Sequence, residues 1–440
     1  MHQAIIEKHF QRLTSAVAYV AGPMWPSVLD VRTGRYPEGD HVPKRVYRLI
    51  GAPRGSTLYW DQPSLIAAYA LSDATGNPAY AQAADAYVRA FLAECIAENG
   101  MFQWGNHVYY DVFERRVVHF ANGHHELRPI TPAWDVFMRL APEATAVYIR
   151  TMADRHVYDP ATGAFNRHDD SRRGHAFLEA GGILVESLAW LYRQTKDPLL
   201  LEKSLKIARF SYAHRHPETG LVKNEPLHGR WDSKVCTTEI GLWAQCLMRA
   251  AGYTANDEFM AMAREAVRAY LNHAYDPTSG RYAGQVRVDT GAAVAPEQTG
   301  YWPRETSDPW NTDQWPNHDY PMELAQACLS LYIETKEPLF LDAVNRWARI
   351  AVETAPARTG KWTYAENYGR CIQFLYRTGT LLHQPDLISA SDTLAEEAVD
   401  KLYCDGMFLG ATDGGHVYEA VDGVGVLLLA LLRYPDPVAT

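Results

Sequence analysis

Long apolar-periodic segments alternate with short polar breaks along the chain. Apolar residues recur every three to four positions over 4–21, 63–74, 78–97, 132–140, 142–154, 176–195, 198–213, 237–252, 256–273, 321–335, 338–354, 364–382, 391–403 and 418–433. That period gathers apolar side chains on one helix face, so it predicts an all-α protein of about fourteen helices. Strand-like alternation is clearest over 101–120, MFQWGNHVYYDVFERRVVHF, which predicts a β-hairpin.

The breaks repeat. Thr75-Gly-Asn-Pro78, Thr195-Lys-Asp-Pro198 and Thr335-Lys-Glu-Pro338 each close one helix and open the next. Proline suits a first helical position, where the N–H it lacks would be unpaired anyway. Tyr158-Asp-Pro-Ala-Thr-Gly163, His216-Pro-Glu-Thr-Gly220 and Tyr275-Asp-Pro-Thr-Ser-Gly280 are turn sequences, with Pro fixing φ and Gly accepting positive φ. Helix, short turn, helix, Pro/Gly-rich loop, repeated, predicts a toroid of inner and outer helices, an (α/α)6 or (α/α)7 barrel. Such repeats have no natural internal boundary, so a single domain over 1–440 is expected. Gly181-Gly182 reads as close backbone packing or a turn.

Composition narrows the class. With 47% hydrophobic and 21% charged residues, the chain can build a sizeable core. A formal net charge of −10 lacks the basic footprint of a nucleic-acid binder. The longest strongly apolar run, Val424 to Leu432, falls far short of the roughly 20 residues of a membrane span. Glu7, Lys8 and Arg12 interrupt the N-terminal stretch, so no secretory signal is read and a cytoplasmic location is expected. The 6 cysteines are scattered without a CxxC pair and read as reduced thiols. The 12 Trp and 26 Tyr suit either core packing or stacking on sugar rings.

Candidate chemistry lies in three long loops, 100–131, 155–176 and 281–320. The first holds Trp104-Gly-Asn-His107-Val-Tyr-Tyr-Asp111, then His124-His125-Glu126; the second holds Phe165-Asn-Arg167-His168-Asp-Asp170, then Arg172-Arg173-Gly-His175. His and Glu are borderline ligands that suit Zn, Mn, Co or Ni. No HExxH helix is present, so a metal site must be assembled from separate loops. The third loop is dense in aromatics and amides. There Arg304, Trp310 and Trp315 would contact sugar rings, unless the loop is packed by its own side chains. Lys223-Asn224-Glu225 reads either as a second contact to an acidic sugar or, by slight preference, as a surface ion-pair cluster.

The residues from His107 through Glu126 and Trp134 to Arg167-His168 resemble the pectate lyases of polysaccharide lyase family 2, with specificity over residues 60–230. The resemblance implies an (α/α)7 toroid and a divalent metal (Mn, Zn, Co, Ni or Ca) held by His107, Glu126 and His168. It also implies that Arg167 is the catalytic base. The implied reaction is β-elimination on a uronate-containing glycan such as pectate. A base removes the C5 proton and the C4–oxygen bond breaks, leaving a 4,5-unsaturated sugar. A metal ion on the substrate carboxylate, helped by bidentate contacts from Arg128, Arg172 and Arg173, would stabilise the charge developing in the transition state. A free guanidinium has a pKa above 12. Tyr109, Tyr110 and His175 are therefore alternative proton carriers, and an ion pair of Arg167 with Asp169 or Asp170 is the structural alternative. The expected partner is an acidic oligosaccharide, with no nucleic acid and no membrane. Rival readings are an unsaturated uronyl hydrolase using a carboxylate such as Asp135, Asp232 or Asp313, and a sugar epimerase on an (α/α)6 barrel using His175 and His318. A non-catalytic carbohydrate-binding scaffold is a third.

Overall fold

A computed structural model describes residues 2–16, 22–37, 55–105, 108–119, 125–127, 130–169, 176–227, 232–295, 306–312 and 321–434. Among them lie α1 (Gln3–Ala16), α2 (Leu58–Thr75), α3 (Ala79–Glu94), α4 (Trp134–Leu140), α5 (Pro142–His156), α6 (Leu178–Thr195), α7 (Pro198–Ala213) and α8 (Thr237–Thr254). They continue with α9 (Asp257–Ala274), α10 (Pro321–Thr335), α11 (Pro338–Glu353), α12 (Pro356–Thr359), α13 (Ala365–Leu381), α14 (Pro385–Leu402) and α15 (Val424–Leu431). No helix among the described residues is long and apolar enough to cross a membrane.

The repeated Thr-x-x-Pro phrase builds one device three times. Thr75, Thr195 and Thr335 end α2, α6 and α10, and each hydroxyl bonds back to the carbonyl four residues earlier at 2.7–2.9 Å. The next residue, Gly76, Lys196 or Lys336, takes positive φ and returns its N–H to the last helical turn at 2.8 Å. An outer helix then starts at or just after the proline. The Pro-x-x-Gly phrases close small turns in the same repeated way, with Gly163, Gly220 and Gly280 at φ of 82°, 71° and 68°.

The chain divides into two compact units. The first comprises Met1–His125, Pro132–Thr145 and Ala355–Pro435. Its inner helices α2, α13 and α15 meet backbone to backbone at glycines. A Cβ on Gly425 would lie 2.3 Å from Ser64 N, and one on Gly369 would lie 2.7 Å from Leu427 N. The predicted hairpin is present as Val108–Asp111 and Arg116–His119, joined by Gly55–Ser56 into a three-stranded sheet. The second unit comprises Glu126–Thr131 and Ala146–Thr354. Its inner helices α6 and α8 are buried without a break over Leu178–Leu191 and Thr237–Met248. Their outer partners α7 and α9 bury only one face. A Cβ on Gly241 would lie 2.3 Å from Leu324 N and one on Gly182 3.0 Å from the Trp243 Cα, so Gly181-Gly182 does serve close packing.

Three element boundaries differ from expectation. α2 begins before Pro63, because the Gln62 side-chain amide donates to the Tyr59 carbonyl that the proline leaves unpaired, at 2.9 Å. α14 begins at Pro385 rather than 391, with the proline in the first turn. The expected helix 418–433 is instead a strand, Val417–Glu419, paired with Val28–Asp30, then a short 3-10 turn and α15. Only the fold could supply that distant partner strand.

Candidate functional site

The second unit draws the first two loops' chemistry together. Residues 125–127 run antiparallel to 166–168, with Glu126 bridged to His168 and Leu127 N donating to the Arg167 carbonyl at 2.9 Å. This pairing carries three predicted side chains to one point. Glu126 Oε1 lies 3.0 Å from an Arg167 guanidinium nitrogen and 3.5 Å from His168 Nε2. Glu126 and Arg167 are buried, while His168 keeps partial exposure. A buried ion pair is held at a desolvation cost that only good geometry offsets.

Support comes from behind. Asn166 Oδ1 accepts from His168 N at 3.0 Å, and the Asn166 carbonyl meets Nδ1 of buried His156 at 2.8 Å. Burial lowers the His156 pKa to about 4, which keeps the ring neutral. The Arg167 guanidinium lies 4.1 Å from the centre of the Phe177 ring, a cation–π contact. Asp169 pairs with Arg155 at 2.8 Å and Arg167 with Glu126 at 3.0 Å, while Asp170, the other carboxylate of the structural alternative, lies outside the described residues.

Asn224 and Glu225 are buried, which corrects the surface ion-pair reading. Burial pushes Glu225 up to about 7, against the Ala176 N–H bonded to it and the nearby Arg167 charge. In sequence, the charged Lys223 beside them disguised their burial.

Glu126 and His168 suit a divalent transition ion. Ligand atoms about 2.1 Å from a tetrahedral centre stand about 3.4 Å apart, close to the 3.5 Å between Glu126 Oε1 and His168 Nε2. No group of three metal-ligating side chains is complete among the described residues. The expected third ligand, His107, lies outside the described residues, as do Arg128, Arg172, Arg173, His175, Arg304 and Trp315. Tyr109 is half-buried on the hairpin strand of the first unit. Trp310 must be reassigned. Its ring is fully buried and its Nε1 donates to the Ala351 carbonyl at 3.0 Å, so it offers no face to a sugar.

A family model described as "Periplasmic pectate lyase" matches residues 61–178, the stretch that contains Glu126, Arg167 and His168. Among solved structures, the cellobiose 2-epimerase from Bacillus thermoamylovorans B4167 superposes with a TM-score of 0.50 at 10% identity, over 98% of this chain and 99% of that one. The α-1,6-mannanase GH76A of Salegentibacter sp. HEL1_6 gives 0.49 at 11% identity, over 97% and 98%. The unsaturated glucuronyl hydrolase from Bacillus sp. GL1 gives 0.46 at 14%, over 69% and 84%. The fold is an all-α toroid of (α/α) type. Family match and fold together indicate a carbohydrate-active enzyme. The cytoplasmic expectation is corrected, because the matching family is described as periplasmic and points to the periplasm. Glu7, Lys8 and Arg12 belong to α1, which buries Ile6, Phe10 and Leu13, so their pattern reports packing and not export.

Proposed function

We propose that the protein is a lyase that cleaves uronate-containing glycans of the pectate type by metal-assisted β-elimination. The observation that carries this reading is the convergence of Glu126, Arg167 and His168 inside the segment matched by the pectate-lyase model. Glu126 and His168, with His107, would hold the metal. A bound divalent cation would neutralise the substrate carboxylate as a Lewis acid and draw the Glu126 charge away from Arg167. The neutral guanidine form of Arg167, reached by loss of one proton to solvent, receives the C5 proton. The C5–H electron pair forms the C4=C5 double bond, and the C4–oxygen pair leaves with the departing sugar, which takes a proton from water. The Phe177 ring limits the directions in which the guanidinium can swing, which is the kind of preorganisation this step requires.

The test pairs metal content with turnover. Glu126→Ala, His168→Ala and His107→Ala should each lower bound metal, measured by elemental analysis, together with activity on oligogalacturonate. Full metal content in all three variants would remove the assigned site.

A further inference from the structure

Phe177 is a bulky residue in a conformation that side chains avoid, with φ 51° and ψ 122°. Such backbone persists only when its surroundings over-determine it, and it clusters at functional sites. Two adjacent residues contribute to that hold. Asn224 Oδ1 accepts from Leu178 N at 3.3 Å, and the Glu225 carboxyl faces the Ala176 N–H, whose pull on it opposes the effect of burial. The two contacts reach the residues on either side of Phe177. Asn224 is itself fixed, because its N–H donates to the Lys234 carbonyl at 3.0 Å, at the edge of strand Lys234–Cys236. The ring presented by the strained residue is the one beneath the Arg167 guanidinium.

We infer that Asn224 and Glu225 are positioning residues for Arg167, clamping Phe177 so that its ring carries the guanidinium toward Glu126. The contribution to turnover rests on the proposed lyase reading; the clamp itself does not. A ring face within 4.1 Å shifts the guanidinium proton signals upfield, and this is measurable without substrate. The experiment uses the full chain labelled with ¹⁵N-arginine, the Arg167 Nε–H signal being assigned by its loss in Arg167→Lys. Phe177→Leu should abolish the upfield shift. Asn224→Ala and Glu225→Ala should also abolish it, and should lower kcat by about 10- to 100-fold with KM and metal content unchanged. Glu225→Gln, whose amide oxygen still accepts from Ala176, should restore the shift and most of the turnover that Glu225→Ala loses. Asn224→Asp, compared with Asn224→Ala, asks the same question at the other prong if Glu225→Ala does not fold. An upfield signal that persists in Asn224→Ala and Glu225→Ala while vanishing in Phe177→Leu overturns the clamp. So does a Glu225→Gln variant that loses the signal as Glu225→Ala does. If no uronide is cleaved, the spectra still decide.

Discussion

Asp61 should make the first unit lose stability as pH rises. Its side chain is fully buried in the first turn of α2, where Oδ2 accepts from the Ser27 hydroxyl at 2.7 Å and the Tyr87 hydroxyl at 2.6 Å. Burial nevertheless wins over these bonds and raises the pKa from 3.8 to about 7. The folded state therefore holds the proton more tightly than the unfolded chain. The stabilisation is fully present below about pH 4 and is lost as pH rises to about 7, beyond which it stays lost. An interval of about three pH units at 1.36 kcal/mol each amounts to about 4 kcal/mol. Asp61→Asn keeps an oxygen for Ser27 and Tyr87 but cannot ionise. Urea unfolding of both proteins, followed by tryptophan fluorescence from pH 4 to pH 8, measures the difference. Trp25 is a suitable reporter, since its ring lies 5.4 Å from that of Tyr87. The wild type should lose stability relative to Asp61→Asn by about 4 kcal/mol over that range, and other titrating groups cancel in the comparison. Parallel curves, with the difference constant to about 0.5 kcal/mol, would refute the buried, protonated carboxyl.

Three further outcomes are expected. Arg167→Lys should keep the fold and the bound metal yet lose turnover by on the order of 100-fold, because an ammonium reproduces neither the planar fork nor the ring contact; near-normal kcat would take Arg167 out of the mechanism. Gly241→Ala should lower stability by about 1–3 kcal/mol or more, since the added Cβ would sit 2.3 Å from Leu324 N, and an unchanged melting temperature would show that α8 and α10 can separate at little cost. Trp310→Ala should destabilise by about 3–5 kcal/mol without raising KM for oligosaccharide in the folded fraction; a raised KM at normal stability would return Trp310 to the binding surface.

Much of this was legible before any coordinates. Helical periodicity located nearly every helix, and the Thr-x-x-Pro phrases marked the turns between inner and outer helices, because each residue there has a local backbone task. Glu126, Arg167 and His168 were also visible, through their resemblance to a known family. What sequence could not supply came from long-range contact. The pairing of 28–30 with 417–419 depends on residues far apart in the chain. The burial of Asn224, Glu225 and Trp310 depends on what packs over them. Phe177 carries no sequence mark at all. Its role emerges only from a positive φ, a ring under Arg167 and two bonds to its neighbours.

The most direct test is product formation. Purified protein would be incubated with oligogalacturonate and other polyuronates, with EDTA or with added Mn²⁺, while ultraviolet absorbance of the unsaturated uronate is followed. The account predicts a rise that EDTA abolishes and Mn²⁺ restores. No rise on any polyuronate with metal present, or a fall on pre-cleaved unsaturated oligosaccharides, would contradict it.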